Sequence, residues 1–365
     1  MTGGKQGWER FLPPYFSDGF QTRFGAAFAS QTVCVAGAGG YIGSALVKAL
    51  AHEGLRSLIL LDSSEYGLFK IQRHMQTAHA GVCCQPVLGS VNDGRLLDSV
   101  FSSSRPQTVF HAAAFKHVGL LERNPFAAIS NNAIGGYTLS KAALRHGVSK
   151  LVFVSTDKAV QPHSVMGVSK RVAELLTVSL SEPSCPANAV RLGNVIGSTG
   201  SVVPLFLEQI EQGQPLSITH PEASRYFLSL EETVTAILAA GSAPCEGKVL
   251  LPEFGEPVRI AELASFLARN SNSTLRFTGL HPGEKVSEDL IGRDETAVAI
   301  VDGPLTVVQT RRLPREECES AMERLVSSVA NRDAASLLET LLGLVPEYQP
   351  SKLLEESAAV VSYKR

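Results

Sequence analysis

Residues 32–62 read TVCVAGAGGYIGSALVKALAHEGLRSLILLD, and this stretch decides the fold. The β-branched run at 32–36 predicts a short buried strand, and the glycine-rich segment after it predicts a tight turn. Residues 44–51 predict a helix, and the second apolar run at 57–61 predicts a strand that ends at Asp62. This order of strand, turn, helix and strand predicts a βαβ unit with two parallel strands.

The glycine-rich turn has the setting of a dinucleotide-binding site, because it follows a strand, opens a helix and precedes an acid 19 residues after Gly43. Glycines let the backbone approach a pyrophosphate, whose charge then lies at the helix N terminus. Asp62 is predicted to accept hydrogen bonds from the adenosine ribose and to repel a 2′-phosphate, which favours NAD over NADP; a helix cap is the structural alternative. The predicted cofactor-binding residues of this unit are Gly37, Gly40, Tyr41, Ile42, Gly43 and Asp62.

Strands and helices continue to alternate along the chain. A third strand is predicted at 85–89, with Asp93 near its end, and a fourth at 108–114. The small residues Ala112 and Ala113 let a cofactor lie against the backbone, so these two residues and Asp93 join the predicted cofactor site. Repeated βα units of this length predict an α/β protein with a Rossmann-type doubly wound parallel sheet.

The pattern changes after Arg191, where residues 193–201 are rich in Gly, Ser and Thr and do not predict a regular strand. A smaller C-terminal substrate lobe is expected to begin there. The predicted regions are an N-terminal aromatic arm at 1–30, an NAD-binding Rossmann domain at 31–200 to which 231–255 returns, a substrate lobe at 201–230 and 256–310, and a C-terminal helical extension with a fraying tail at 311–365. The arm is expected to pack on the body or on a neighbouring subunit, with a poorly ordered leader as the alternative.

Composition excludes several classes of protein. The 365 residues are 44% hydrophobic and 19% charged, which predicts one or two closely joined globular domains. A net charge of −2 gives no reason to propose nucleic acid or an anionic membrane as a partner. No apolar stretch reaches the roughly 18 residues of a membrane helix, and the six cysteines lack metal-site spacing. We therefore expect a soluble cytoplasmic protein with reduced, mostly buried thiols and no metal.

Reactive side chains are expected at the end of the strand over residues 151–156. Ser155, Thr156, Asp157 and Lys158 close this strand, and a helix after the next turn carries Met166 and Lys170 one turn apart. The carboxyl ends of strands border the ligand crevice in open α/β sheets. The chemistry is therefore predicted at this strand exit.

The arrangement resembles that of short-chain dehydrogenase/reductases, in which a tyrosine stands where this chain has Met166. A thioether cannot exchange a proton, so a tyrosine-driven alcohol dehydrogenase or 4-epimerase loses its central group. The stretch Ser-Thr-Asp-Lys-Ala-Val at 155 resembles the CapD-like nucleoside-diphosphate-N-acetylglucosamine 4,6-dehydratases of bacterial polysaccharide biosynthesis, and the resemblance spans about residues 31–292. The other matching motifs are GAGGYIG at 37, HAAAFKHV at 111, RLGNVIGS at 191, GSVVPLF at 200, THPE at 219, RYF at 225 and HPGEK at 281.

The resemblance implies NAD-dependent 4,6-dehydration of a UDP-N-acetylhexosamine, above all UDP-N-acetylglucosamine. Sugar carbon 4 is oxidised, water is lost across carbons 5 and 6, and the hydride returns to carbon 6. It implies Lys158 as the base at carbon 5 and Asp157 as the acid at the 6-hydroxyl. Thr156 is expected to orient the 4-hydroxyl, whose proton goes to Asp157 or a water relay. Met166 marks a subgroup in this comparison, and Lys170 is expected to bond the nicotinamide ribose, with a solvated helix lysine as the alternative.

The substrate-binding residues expected from the same resemblance are Lys116, His117, Asn132, Asn194, Arg225 and Glu284. Lys116 and His117 face the sugar or fill a capping or surface role. Asn132 holds the backbone or a water near Lys170, or is a buried structural amide. Asn194 and Arg225 are candidates for the substrate diphosphate, because a guanidinium binds phosphate bidentately.

Three further residues leave alternatives open. Arg191 is a ligand residue or a structural ion-pair partner. Glu284 contacts ligand or closes the lobe, and His281 stands where relatives usually have arginine, which weakens a phosphate contact.

Partners and alternative functions complete the predictions. The helices at 126–146 and 166–180 imply, by resemblance, a homodimer or higher homo-oligomer through faces that carry Leu139, Leu175 and Val178, although core packing is an equal explanation. Many relatives begin with membrane helices and a further domain, so this chain is a short soluble form or an excised domain. The alternatives to dehydration are a nucleotide-sugar 4-epimerase or related oxidoreductase, and a catalytically silent NAD-binding protein.

Overall fold

The computed structural model describes residues 24–301 and 305–362. The strands are β1 Thr32–Ala36, β2 Ser57–Asp62, β3 Cys83–Leu88, β4 Thr108–His111, β5 Lys150–Thr156, β6 Ala187–Leu192, β7 Asn194–Val195, β8 Leu216–Ile218, β9 Ser224–Arg225, β10 Phe227–Leu228, β11 Val249–Pro252, β12 Val258–Arg259, β13 Leu275–Phe277, β14 Thr296–Val301 and β15 Leu305–Gln309. The helices are α1 Gly25–Phe28, α2 Tyr41–Leu50, α3 Glu65–Ala78, α4 Gly94–Ser104, α5 Val118–Glu122, α6 Pro125–Ala128, α7 Gly135–Arg145, α8 Val165–Ser179, α9 Val202–Glu211, α10 Leu230–Ser242, α11 Ile260–Ala268, α12 Arg315–Ala330, α13 Ala334–Leu344 and α14 Lys352–Ser362, with a π-helical turn at Ile129–Ile134 and a 3-10 turn at Asp157–Ala159.

The central sheet of the described chain has nine strands in the order β14-β15-β11-β6-β5-β4-β1-β2-β3. The seven neighbouring strands β11, β6, β5, β4, β1, β2 and β3 run parallel to one another. Strands β15 and β14 are added antiparallel at the β11 edge. Strand order reverses beside β1, since β2 pairs on one side of it and β4 on the other. In doubly wound sheets this reversal opens a crevice at the carboxyl ends of the strands. The predicted Rossmann-type fold is confirmed.

A smaller lobe covers this crevice and differs in extent from the predicted one. It is built from the short pairs β7–β10, β9–β12 and β8–β13, with α9 and α11 packed around Phe206 and Leu263. Residues 296–309, predicted to belong to the lobe, instead form β14 and β15 of the main sheet. Their apolar side chains, such as the buried Val308, pack on the strand β11.

The C-terminal extension packs against α8, and for three residues offered as a dimer face this supports the alternative of core packing. Helices α12 and α13 cover Leu175, which joins the same apolar cluster, while Leu139 and Val178 are fully buried elsewhere in the chain. The faces offered for a dimer are therefore occupied within the chain itself. The prediction of a fraying tail is wrong for the residues up to 362. These residues include the helix α14, which buries Leu354 to 1% exposure in that cluster.

Other regions bear on earlier predictions. Residues 1–23 of the aromatic arm lie outside the described residues, while Phe28 is buried and its ring contacts Phe110 at a centroid distance of 5.8 Å. The six cysteines are free thiols, and Cys34, Cys185 and Cys318 are buried. Across the described ranges, no helix combines the length and apolar character that a membrane crossing requires.

Candidate active site

A cavity of about 910 Å³ opens where the carboxyl ends of β1, β4, β5 and β6 meet the smaller lobe. Its sheet side is lined by the glycine turn after β1, by Ala112 and by Thr156. The opposite wall comes from the lobe and includes Arg225 and Glu288. The cavity thus occupies the crevice at the strand-order reversal, where this fold class binds its ligands.

The glycine turn is tight enough to need glycine at two positions. Gly37 has a φ of +86°, and a Cβ atom there would lie 2.5 Å from the backbone nitrogen of Ala113. A Cβ atom on Gly43 would lie 1.9 Å from the carbonyl oxygen of Gly37. Gly40 caps α2 without a side-chain hydrogen bond, which leaves the first backbone N–H groups of that helix facing the cavity side. Such a cradle fits a pyrophosphate.

Asp62 holds the glycine turn in place. Its Oδ2 accepts a hydrogen bond of 2.7 Å from the backbone N–H of Gly39, and its Oδ1 accepts one of 2.7 Å from Ser64. Ser64, and not Asp62, caps α3, so the capping alternative for Asp62 is wrong. Tyr41 closes the turn toward the lobe, because its hydroxyl donates to the carbonyl of Ile196 at 2.8 Å.

Asp93 does not belong to the cofactor site as predicted. It is exposed, caps α4 by accepting a 3.0 Å hydrogen bond from the N–H of Leu96, and is absent from the lining of the cavity. Its position just before a helix suits an N-cap. A carboxylate that follows a strand fits either a ligand contact or a helix cap, and its sequence position does not separate the two.

Asp157 lies behind the cavity wall. Its side chain is fully buried, and its Oδ1 accepts hydrogen bonds from Thr156 Oγ1 at 2.9 Å and from Lys158 Nζ at 3.0 Å. Thr156 and Lys158 line the cavity, whereas Asp157 does not. The carboxylate therefore reaches the cavity only through its two neighbours.

The ammonium of Lys158 is the positive charge at the end of β5. Its ammonium donates a 2.8 Å hydrogen bond to Asn194 Oδ1 and lies 3.7 Å from Glu288 Oε1. The side chain keeps 20% of its surface exposed. Lys158 is thus held between a carboxylate behind it and polar groups beside it, with its amine at the edge of the cavity.

Glu288 is a site residue that the sequence reasoning missed. It is 7% exposed, and its carboxylate lies 3.1 Å from the ammonium of Lys285. Burial alone raises the pKa of Glu288, but the cations of Lys158, Lys285 and Arg225 together hold it below its usual range. The sequence feature that could have indicated this residue is a carboxylate three residues after the lysine of the HPGEK motif.

Met166 and Lys170 stand side by side on α8, and both line the cavity at 5% exposure. The Lys170 ammonium lies 3.9 Å from the ring centroid of Phe153 and has no hydrogen bond or ion pair within the described chain. Burial lowers its pKa to about 7, against an opposing contribution from Glu174. A solvated helix lysine is therefore the wrong description of Lys170.

His111 adds a second buried base near Lys170. It is 1% exposed, and neither ring nitrogen has a hydrogen-bond partner in the described residues. Burial and the nearby Lys170 lower its pKa to about 3, so the imidazole is neutral. Its ring contacts the edge of Phe153 at 5.3 Å, which makes it part of the support beneath Lys170.

The family of polysaccharide biosynthesis proteins matches residues 33–309. This chain belongs to that family. The capsular polysaccharide biosynthesis protein CapD of Staphylococcus aureus is 39% identical over 274 residues, which are 73% of this chain and 46% of CapD. The chain therefore spans about half the length of this curated relative.

Two further proteins are similar to this chain. The UDP-glucose 4-epimerase of Rickettsia massiliae is 32% identical over 283 residues, covering 74% of this chain and 81% of that protein. The X-ray structure of Pen from Bacillus thuringiensis aligns with a TM-score of 0.71 at 26% identity, covering 79% of this chain and 89% of Pen. The fold of the family domain is thus shared with solved proteins over most of its length.

Two polar residues of the family domain are structural in this chain. Asn132, predicted to bind substrate, is 1% exposed and bonds both backbone groups of Phe115 and the hydroxyl of Ser169. Its amide is therefore committed to packing the π-helical turn on α8, and it does not line the cavity. Arg191 is fully buried and paired with Glu174 and Glu295 at 2.6 Å each, which confirms the ion-pair alternative.

The remaining predicted substrate residues all line the cavity. Arg225 donates to the carbonyls of Ser224, Val286 and Lys285, so most of its guanidinium is already engaged. Lys116 and His117 are both exposed, and the His117 ring lies next to Gly200. Asn194 turns its carbonyl toward Lys158, and Glu284 accepts a 3.2 Å hydrogen bond from the N–H of His281.

Proposed function

We propose that this chain catalyses NAD-dependent 4,6-dehydration of a UDP-N-acetylhexosamine, with UDP-N-acetylglucosamine as the preferred substrate. The observation that carries the proposal is the hydrogen-bonded group of Thr156, Asp157 and Lys158, two of whose members line the same cavity as Met166. Met166 has no exchangeable proton, so proton transfer falls to this group. Membership of a polysaccharide biosynthesis family supports the substrate class.

The cradle after β1 supports the cofactor assignment. Gly37, Gly40 and Gly43 would hold the pyrophosphate, Asp62 would accept from the adenosine ribose, and Lys170 would donate to the nicotinamide ribose. When bound, the dinucleotide supplies reversible hydride transfer. A carboxylate at the end of β2 disfavours a 2′-phosphate, which supports NAD over NADP.

Lys158 is the proposed base at sugar carbon 5. Its amine lies at the cavity edge, and in the neutral form it accepts the carbon 5 proton, which oxidation at carbon 4 has made acidic. At the end of the cycle the ammonium, whose protons exchange with solvent, protonates carbon 5. Asn194 and Glu288 limit the positions that its amine can take.

Asp157 is the proposed carrier of the second proton. Thr156 accepts the proton of the 4-hydroxyl and passes its own proton along the 2.9 Å hydrogen bond to Asp157. The Lys158 ammonium protonates the departing 6-hydroxyl and takes a replacement proton from Asp157 across the 3.0 Å bond. This route balances both protons and gives the buried carboxyl the acid role without direct contact with substrate.

The product decides the proposal. Incubation with UDP-N-acetylglucosamine in D₂O is expected to give a 4-keto-6-deoxy sugar by NMR, a mass loss of one water, and deuterium at carbon 5. If none of the common UDP-N-acetylhexosamines loses water on incubation with the protein, the proposal is contradicted.

A nucleotide-sugar 4-epimerase is the second candidate, and the Rickettsia massiliae relative is the observation that favours it. An epimerase releases a sugar of unchanged mass with inverted carbon 4. The same NMR spectrum separates the two functions, because only dehydration replaces the 6-hydroxymethyl signals with a methyl signal.

A further inference from the structure

The loop between β5 and α8 is fixed from two sides. From the lobe, Lys285 Nζ donates a 2.8 Å hydrogen bond to the carbonyl of Val160. From the C-terminal extension, the backbone N–H of Gln349 donates a 2.9 Å bond to the carbonyl of Pro162. This loop begins with the Asp157–Lys158 pair, so both contacts act on the segment that carries the proposed proton chemistry.

Glu122 links the C-terminal extension to the start of α8. Its Oε1 accepts a 2.6 Å hydrogen bond from the N–H of Val165, the first residue of α8, and its Oε2 accepts a 2.5 Å bond from Ser351 Oγ. Glu122 is 3% exposed. A carboxylate at a helix N terminus interacts favourably with the helix dipole. Ser351 therefore completes the anchor of the helix that carries Met166 and Lys170.

The segment around Ser351 is itself firmly held. Tyr348 and Leu354 on either side of it are buried to 3% and 1% exposure in the cluster that α8 forms with α12 and α13. Glu347 also accepts a 3.2 Å bond from Arg171 on α8. The family match covers residues 33–309, so these contacts come from a part of the chain outside the matched range.

We propose that the C-terminal segment 347–354 positions the elements of the active site. Ser351 and Glu122 are positioning residues that set the start of α8 and, through it, the loop from Asp157 to Val165. The inference rests on the proposed dehydration for its kinetic consequence, but the positioning itself is a property of this chain.

Ser351→Ala tests the link with a small change at a partly buried hydroxyl. Because a hydrogen bond to a charged group is lost, kcat is expected to fall by roughly threefold to thirtyfold, with KM within about twofold of the wild type. Hydrogen exchange of backbone amides in 157–165 is expected to accelerate, while the rest of the sheet is unchanged. Ser351→Thr keeps the hydroxyl and is expected to restore both readouts.

Ser357→Ala is the matched control, because Ser357 is exposed on α14 and its hydroxyl bonds only within the helix. It is expected to leave kcat and loop exchange unchanged. Wild-type kcat and loop exchange in Ser351→Ala would overturn the inference, and so would exchange that accelerates uniformly across the protein. If the wild type dehydrates no substrate, the proposed function fails while loop exchange still decides the positioning role.

Discussion

At the scale of residues, the proposed mechanism depends on Lys158, the proposed base at carbon 5. Lys158→Ala is expected to lower dehydration by about 10³-fold, within the range for loss of a general base. NAD affinity, measured by titration calorimetry, is expected to stay within about threefold, because Lys158 lies away from the glycine cradle. Lys352→Ala on the exposed start of α14 serves as the control. A Lys158→Ala enzyme with near-normal turnover would remove Lys158 from the mechanism.

Lys170 supplies a prediction with a defined pH window. Burial lowers its pKa from 10.5 to about 7, with Glu174 and His111 as the titratable neighbours. Below pH 7 the lysine is charged in both the folded and unfolded chains, so burial of the ammonium destabilises the fold in full. This penalty shrinks between the two pKa values and disappears above 10.5.

Lys170→Met removes the penalty and retains an apolar contact with Phe153. The variant is therefore expected to have a higher free energy of unfolding than the wild type near neutral pH, and the difference is expected to shrink as the pH rises toward 10.5. Urea unfolding at several pH values measures it, with Lys352→Met as a control. A difference that does not change with pH contradicts the buried, weakly basic lysine.

Residue types predicted which segments meet at the cavity better than they predicted the orientation of each side chain. The Asp157–Lys158 pair was expected at a strand exit, and the structure brings Lys158 but not Asp157 to the cavity wall. Adjacent residues point in different directions, so the sequence alone does not say which one meets a ligand. Glu288 was missed because it belongs to the lobe and is far in sequence from Lys158, the residue that it lies beside.

At the scale of elements, the glycine turn makes a prediction from steric contact. Gly43→Ala puts a Cβ atom 1.9 Å from a backbone oxygen, so the turn must open. We expect a loss of about 1–3 kcal/mol in the free energy of unfolding, typical of overpacking, and a loss of NAD affinity of at least about tenfold. Gly81→Ala is the control, since no atom lies within 4 Å of its Cβ position. Wild-type NAD affinity in Gly43→Ala contradicts a cofactor cradle at this turn.

Elements with strong local signals were predicted well. The βαβ unit was found within a few residues, because apolar periodicity and turn residues are local properties. The helix predicted over 126–146 is divided by the π-helical turn Ile129–Ile134. That turn brings Asn132 to Ser169 and the backbone of Phe115, an arrangement set by packing on α8 and not by sequence spacing.

At the scale of the whole molecule, the sequence left open what covers α8. An apolar helix face is satisfied equally by a second copy of the chain or by another part of the same chain. Here α12 and α13 cover it, and every residue of α8 from Val165 to Val178 is buried. The assignment of β14 and β15 to the main sheet was missed for the same reason, since edge strands are placed by long-range pairing.

A buried charge network joins these distant parts and gives the last prediction. Arg191 on β6 is fully buried, and Glu295, beside β14, pairs with both Arg191 and Arg171. Burial raises the pKa of Glu295, but the two guanidinium groups bring it well below its usual range. Its contribution to stability is therefore present above the unfolded-state pKa and is lost as the pH falls toward the folded-state pKa.

Glu295→Ala leaves the Arg191 guanidinium in the core with one carboxylate partner instead of two. Removal of one member of a buried pair destabilises by about 3–5 kcal/mol, so urea unfolding at neutral pH is expected to show a loss of that size. Glu262→Ala removes an exposed pair with Arg259 at 3.8 Å and is expected to change stability by at most about 1 kcal/mol. Equal effects of the two substitutions would mean that the network does not join the edge of the sheet to α8.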